Sequence, residues 1–261
     1  MRGRGVPLFG GATCEDEDYL RSVLGLKDAG FEIGYHMATY HSSAREDTRM
    51  GLERFRELFG QYPKCMTHHS ECRENMYWGS DRLSGLPKLF YNVATRYRNH
   101  KKYFGHVLND AFFWGDLCRE RITYVRNFVF QDINTLKACP MMPYHDPLRP
   151  YVNYWFASSE GARVESFNRC IAEQNQDRLE REGGACIMYT HFASGFCDNK
   201  SLNSRFRFLM ERLSKKNGWF VSVSTLLDYL RNGKDERDIT DKQMSHLELK
   251  WLWQKLLVGR T

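Results

Sequence analysis

Apolar and polar positions alternate between two periods in the first third of this chain. VPLFGG, from Val6 to Gly11, reads as a buried strand ended by glycines. The acids Glu15, Asp16, Glu17 and Asp18 then open a predicted helix whose apolar side is Leu20, Val23, Leu24 and Leu26, closed by Ala29 and Gly30. Acids at a helix start complement its dipole. A strand is predicted next at EIGYH, then a helix over 44–58 with Met50, Leu52, Phe55, Leu58 and Phe59 at near-helical spacing, stopped by GQYP. A further strand is predicted over 64–69. Such alternation points to βαβ units in a parallel sheet or barrel.

From Ser70 to about Pro150 the periodicity is lost in aromatic pieces (NMYWG, LFYNVATRY, NDAFFWGD, YVRNFVF). Four of the seven prolines fall between 140 and 150, so CPMMPYHDPLRP is expected to be an extended loop, a lid or a substrate wall. Regularity returns with a helix over about 164–182, a strand ACIMYTHF from Ala185, a helix over 204–216, a strand WFVSVS from Trp219 and a short helix TLLDYLRNG. In the tail, Leu247, Leu249, Trp251, Leu252, Trp253, Leu256 and Leu257 follow a helical pattern. The expected organisation is one α/β barrel domain over 1–235, interrupted by an insertion at about 70–150, with a C-terminal helix over 236–261 packed on its exterior. A peripheral membrane or homo-oligomer contact is the second role open to that helix. No internal repeat is seen.

At 261 residues, with 42% hydrophobic and 14% aromatic residues, the chain can bury a sizeable core and has no disordered tract. The net charge of +6 is dispersed and interleaved with acids, which argues against a nucleic-acid partner. Eight cysteines form no CxxC pair, and several, such as Cys186, lie in apolar patterns. They read as buried thiols in a reducing, cytoplasmic compartment. MRGRGVPLFGG lacks the apolar core of a signal peptide, and no run reaches the roughly 20 apolar residues of a membrane span.

The candidate chemistry lies in histidines at predicted strand ends. GFEIGYHMATYH places His36 and His41 five residues apart; His68 with His69, and His191, also close strands. Neutral imidazole is the commonest protein ligand for zinc, so His36 and His41 are candidates to share one divalent ion. Ordinary hydrogen bonding in a turn is the other reading of that pair. Since side chains alternate along a strand, only one of His68 and His69 faces the same site.

The order strand, helix, GFEIGYH, helix, GQYP, strand, aromatic loop and late YTH resembles the polysaccharide deacetylase family, carbohydrate esterase family 4 or the chitooligosaccharide deacetylase homology domain. GFEIGYH is similar to its second motif, FRELFGQYPKCMTHH to the approach to its third, and IMYTHF to its last. The resemblance spans about Val6 to Leu230 and implies a distorted (β/α) barrel, incomplete at its N-terminus. Three departures stand out. The family's paired histidines are usually four apart; HHSECRENMYWG replaces its arginine-proline-tyrosine loop; and no strand ending in two aspartates precedes VPLFGG. That strand is expected upstream of Met1, the alternative being that the aspartates are lost. Asp16 and Asp18 fall on a helix start, the wrong place for it.

By this resemblance the chain is a metal-dependent hydrolase that removes an acetyl group from a sugar. His36 and His41, with His68, would hold the divalent ion, which the resemblance implies is zinc, and His191 would be the general acid. Substrate contacts fall to His69, Asn75, Tyr77, Trp78, His145 and Asp146, with sugar stacking on Tyr77 and Trp78 weighed against a buried aromatic loop. His145 with Asp146 is either an orienting pair or a plain turn. Glu71 and Glu160 are reserve candidates for the base. The rival readings are a carbohydrate-binding or scaffolding relative without turnover, and another metal-dependent barrel hydrolase such as a glycoside hydrolase, for which no carboxylate pair is identified.

Overall fold

The computed structural model describes residues 12–39, 41–233 and 238–258, and the strand expected at Val6–Gly11 lies outside the described residues. Four strands, β1 (Cys65–Met66), β2 (Tyr124–Phe130), β3 (Tyr154–Glu160) and β4 (Met188–Tyr189), form a sheet in the order β1-β2-β3-β4. β1 with β2, and β3 with β4, pair in parallel. Tyr35 adds a parallel bridge to Met66, through Tyr35 N–H to Cys65 O at 2.9 Å and Thr67 N–H to Tyr35 O at 3.0 Å. Strands that neighbour in sequence thus neighbour in the sheet, the order found in the wall of a (β/α) barrel. The EIGYH strand shrinks to this one bridge. Gly34 lies where the two backbones come close, since a Cβ there would meet Cys65 O at 3.3 Å.

The chain divides into two compact units. The first takes residues up to Arg126, Pro143–Trp155 and Ser222–Thr240. Its helices begin with α1 (Glu17–Asp28), where Asp16 accepts from Thr13 N–H at 2.7 Å and no residue is buried. α2 (Arg45–Phe59) opens with Glu46 and Asp47 and ends at Gly60, whose φ of 81° allows the left-handed cap. It buries Leu52, Phe55 and Phe59, with the Phe55 ring 6.2 Å from Tyr35. α3 (Gly85–Ala94) and α4 (Gly115–Arg121) lie in the stretch expected to be irregular. β2 begins there too. It was hidden because nearly every residue of YVRNFVF is buried, so no alternation marks it, and Arg126 and Asn127 interrupt the apolar run.

The second unit takes Asn127–Met142, Phe156–Val221 and the chain from Asp241. It holds α5 (Thr135–Ala138), α6 (Val164–Cys170), α7 (Glu173–Glu182) and α8 (Ser204–Leu213) around a core of Ile133, Val164, Phe167, Ile171, Phe196 and Leu209. The single helix expected over 164–182 is broken at Ile171. Asn175 Nδ2 donates to Arg169 O and Cys170 O, both at 3.0 Å, and Gln176 Nε2 to Ile171 O at 2.8 Å, so side chains take carbonyls that a continuous helix would use. The strand expected from Trp219 is absent as well. Ser222 instead caps α9 (Val223–Asn232), a helix of the first unit, by accepting from Thr225 N–H.

α10 (Asp241–Val258) is the expected C-terminal helix. It buries Met244, Leu247, Trp251 and Leu252, sets Trp251 5.7 Å from Phe128, and accepts Gln131 N–H on Gln254 Oε1. No cysteine forms a disulfide among the described residues, and no helix there is long and apolar enough to cross a membrane.

Candidate functional site

The ladder at Tyr35 delivers His36 to the end of one strand and Thr67, His68 and His69 to the end of the next. His36 Nδ1 lies 3.1 Å from Thr67 O and 3.0 Å from its hydroxyl. His69 Nδ1 lies 2.9 Å from Ser70 O. A carbonyl can only accept, so Nδ1 is the donor in both rings, and the neutral form of each would carry its lone pair on Nε2. The two ring centroids are 5.2 Å apart. Both histidines line a cleft of about 350 Å³ with Tyr35, Thr39, Phe55 and Phe59, a size that accepts a monosaccharide.

Strand alternation turns His68 the other way. It is buried edge-on to Trp78 at 4.8 Å, and Arg82 lies 3.6 Å over that indole. Burial, then the positive charges of Arg82 and Arg126, hold the His68 imidazole well below its ordinary pKa, so it is neutral. It is therefore His69 whose ring pairs with His36. His41 is half-buried and is not among the described residues lining the cleft; its backbone ties down the loop, accepting Thr39 Oγ1 at 2.8 Å and Cys72 Sγ at 3.4 Å.

The expected substrate residues are mostly structural in their contacts. Asn75 is buried and donates Nδ2 to His69 O at 2.7 Å, which fixes the His69 loop. The Tyr77 ring is buried against His106 at 4.2 Å and Trp155 at 6.2 Å. Trp78 presents its ring to Arg82 and His68. His145 and Asp146 do not pair with each other: His145 Nδ1 meets Asp238 at 2.7 Å, while the buried Asp146 holds Arg149, which donates to Asp81 O and Arg82 O. Glu71 is exposed and ion-paired with Lys102.

In the second unit, His191 follows β4 and is exposed. Tyr189 Oη lies 3.3 Å from its Nε2, and its N–H donates to Ala162 O at 3.2 Å. Glu160, at the end of β3, accepts Ala162 N–H at 2.8 Å. Ala162 thus ties both strand ends together.

Sequence reasoning missed Glu74. Buried beside the start of α2, its carboxyl is pushed up to about 7 by burial, against the lowering influence of nearby backbone amides and Ser43. Its place in HHSECRENMYWG gives no local signal of that burial.

A metal-binding histidine typically holds the ion through one nitrogen while the other donates to a carbonyl, and the Nδ1 atoms of His36 and His69 each lie against a carbonyl. These two donors fit two positions of such a site. Among the described residues no set of three His, Cys, Asp or Glu side chains gathers into a metal-holding group. No protein-family model, curated protein or solved structure matches the chain.

Proposed function

We propose that this protein is a metal-dependent hydrolase of deacetylase type, acting on an acetylated sugar in the cleft beside His36 and His69. The observation that carries the reading is the pair itself: two imidazoles at adjacent parallel strand ends, each with Nδ1 set against a carbonyl, which in the neutral ring leaves Nε2 as the nitrogen suited to a metal. His36 and His69 would hold a zinc-like ion, which when bound polarises the acetyl carbonyl and acidifies a water. Thr67 and Ser70 set the tautomers, and Asn75 holds the loop that aims His69. Tyr35, Phe55 and Phe59 give the cleft an apolar wall on which the sugar ring and acetyl methyl are sheltered from water. The wider deacetylase fold belongs to the same proposal, supported by the sequential parallel strand order.

The test is metal content by elemental analysis together with acetate release from acetylated chitooligosaccharides. His36→Ala and His69→Ala are each expected to lower metal affinity and turnover about 100-fold, in the range for loss of a metal-site residue. His41→Ala is expected to change both less. A purified protein that takes up no divalent ion, or one whose metal survives both His36→Ala and His69→Ala, overturns the reading. Glycan binding without metal would assign the cleft to a carbohydrate-binding protein.

A further inference from the structure

α3 carries its apolar side outward. Leu86, Leu89, Phe90 and Val93, spaced i, i+3, i+4 and i+7, are exposed by 80%, 53%, 52% and 61%, while Pro87 and Asn92 face the interior. A soluble helix ordinarily does the reverse, and a continuous exposed stripe of large apolar side chains marks an interaction surface. The chain leaves this helix through a tight turn in which Arg96 and Tyr97 take φ of 51° and 57°, held by Tyr97 N–H to Asn92 O at 2.7 Å. Arg96, Arg98, His100 and Lys101 stand exposed beyond it. From Leu83 to Asn109 the sequence has five Lys or Arg and no Asp or Glu. Lys88 is matched by Asp81 and Lys102 by Glu71, so Arg96, Arg98 and Lys101 supply the excess charge. Tyr97, half exposed where stripe meets cations, has the amphipathic ring that settles at a membrane boundary.

We propose that α3 and the loop following it dock this protein on an anionic phospholipid surface. The helix lies in the plane of the interface with Leu86, Leu89, Phe90 and Val93 among the acyl chains, and the arginines meet the headgroup phosphates. Charge selects this occupant over a second copy of the chain. Two copies seated on the same stripe would bring two acid-free basic loops together, whereas an anionic bilayer offers apolar depth and negative charge side by side. The proposal stands apart from the hydrolase reading and uses none of its residues.

Co-sedimentation with vesicles of phosphatidylcholine, alone or with roughly a third phosphatidylserine, tests it. The protein is expected to partition at least about tenfold more onto the anionic vesicles, with the difference shrinking as salt rises. Arg96→Gln with Arg98→Gln should weaken binding about twenty-fold, and Leu89→Glu with Phe90→Glu at least about tenfold. All four side chains are exposed, so the variants should keep the wild-type circular dichroism spectrum, which is recorded alongside. Wild-type protein that stays in the supernatant, binding that ignores lipid charge, or variants that sediment like the wild type would each overturn the proposal. So would concentration-dependent dimers, without lipid binding, that the apolar double variant abolishes.

Discussion

α2 and α3 lie in the same unit and carry apolar stripes of the same spacing, yet one covers its stripe and the other displays it. On α2, Leu52 is fully buried and the Phe55 ring packs with Tyr35 and Phe59. On α3, Leu86, Leu89, Phe90 and Val93 meet solvent. The pair teaches that helical periodicity fixes which side of a helix is apolar and leaves open what covers it. The hydrophobic effect acts on area removed from water, so the two stripes differ in energy although they read alike in sequence.

That difference is measurable. Leu52→Ala should lower unfolding stability by about 4 kcal/mol in urea denaturation, through lost transfer energy and the void left behind. A loss as small as that of an exposed site would break the comparison. Glu74, beside the start of α2, sharpens it by a second route. Its carboxyl has an ordinary pKa of 4.5 and a folded pKa of about 7, so the unfolded chain ionises first as pH rises. Its contribution is fully present below pH 4.5 and is lost between there and about pH 7, amounting to about 3 kcal/mol. Subtracting the stability curve of Glu74→Gln from that of the wild type should reveal this decline, and a flat difference would refute it.

Gly51→Ala comes next. Alanine is the better helix former, yet its Cβ would meet Ala38 Cβ at 2.7 Å and Tyr35 Oη at 3.2 Å, so a loss of about 2 kcal/mol is expected. Smallest is Leu89→Ala on α3, whose midpoint should stay within about 0.5 kcal/mol of the wild type. A large loss there would show that something covers the stripe in solution.

The sequence revealed what depends on local pattern. The helix predicted over 44–58 appears as Arg45–Phe59 because its spacing is regular and Gly60 supplies the cap. The run WFVSVS misled because a single serine cap at Ser222 outweighed the strand preference of its aromatic and branched residues. YVRNFVF hid its strand because burial on both faces erases alternation. At the site, GFEIGYH placed His36 at a strand end, while its pairing with His69 rather than His68 followed from the alternation that turns His68 toward Trp78. Glu74 was illegible, since its burial is set by segments far from it in sequence.

The sequential order of Tyr35, β1, β2, β3 and β4 bears on how the protein is born. Each new strand meets a partner already made, so the growing edge always accepts the segment just leaving the ribosome. Within this described sheet no strand has to wait for a distant later one, and pairing can keep pace with synthesis.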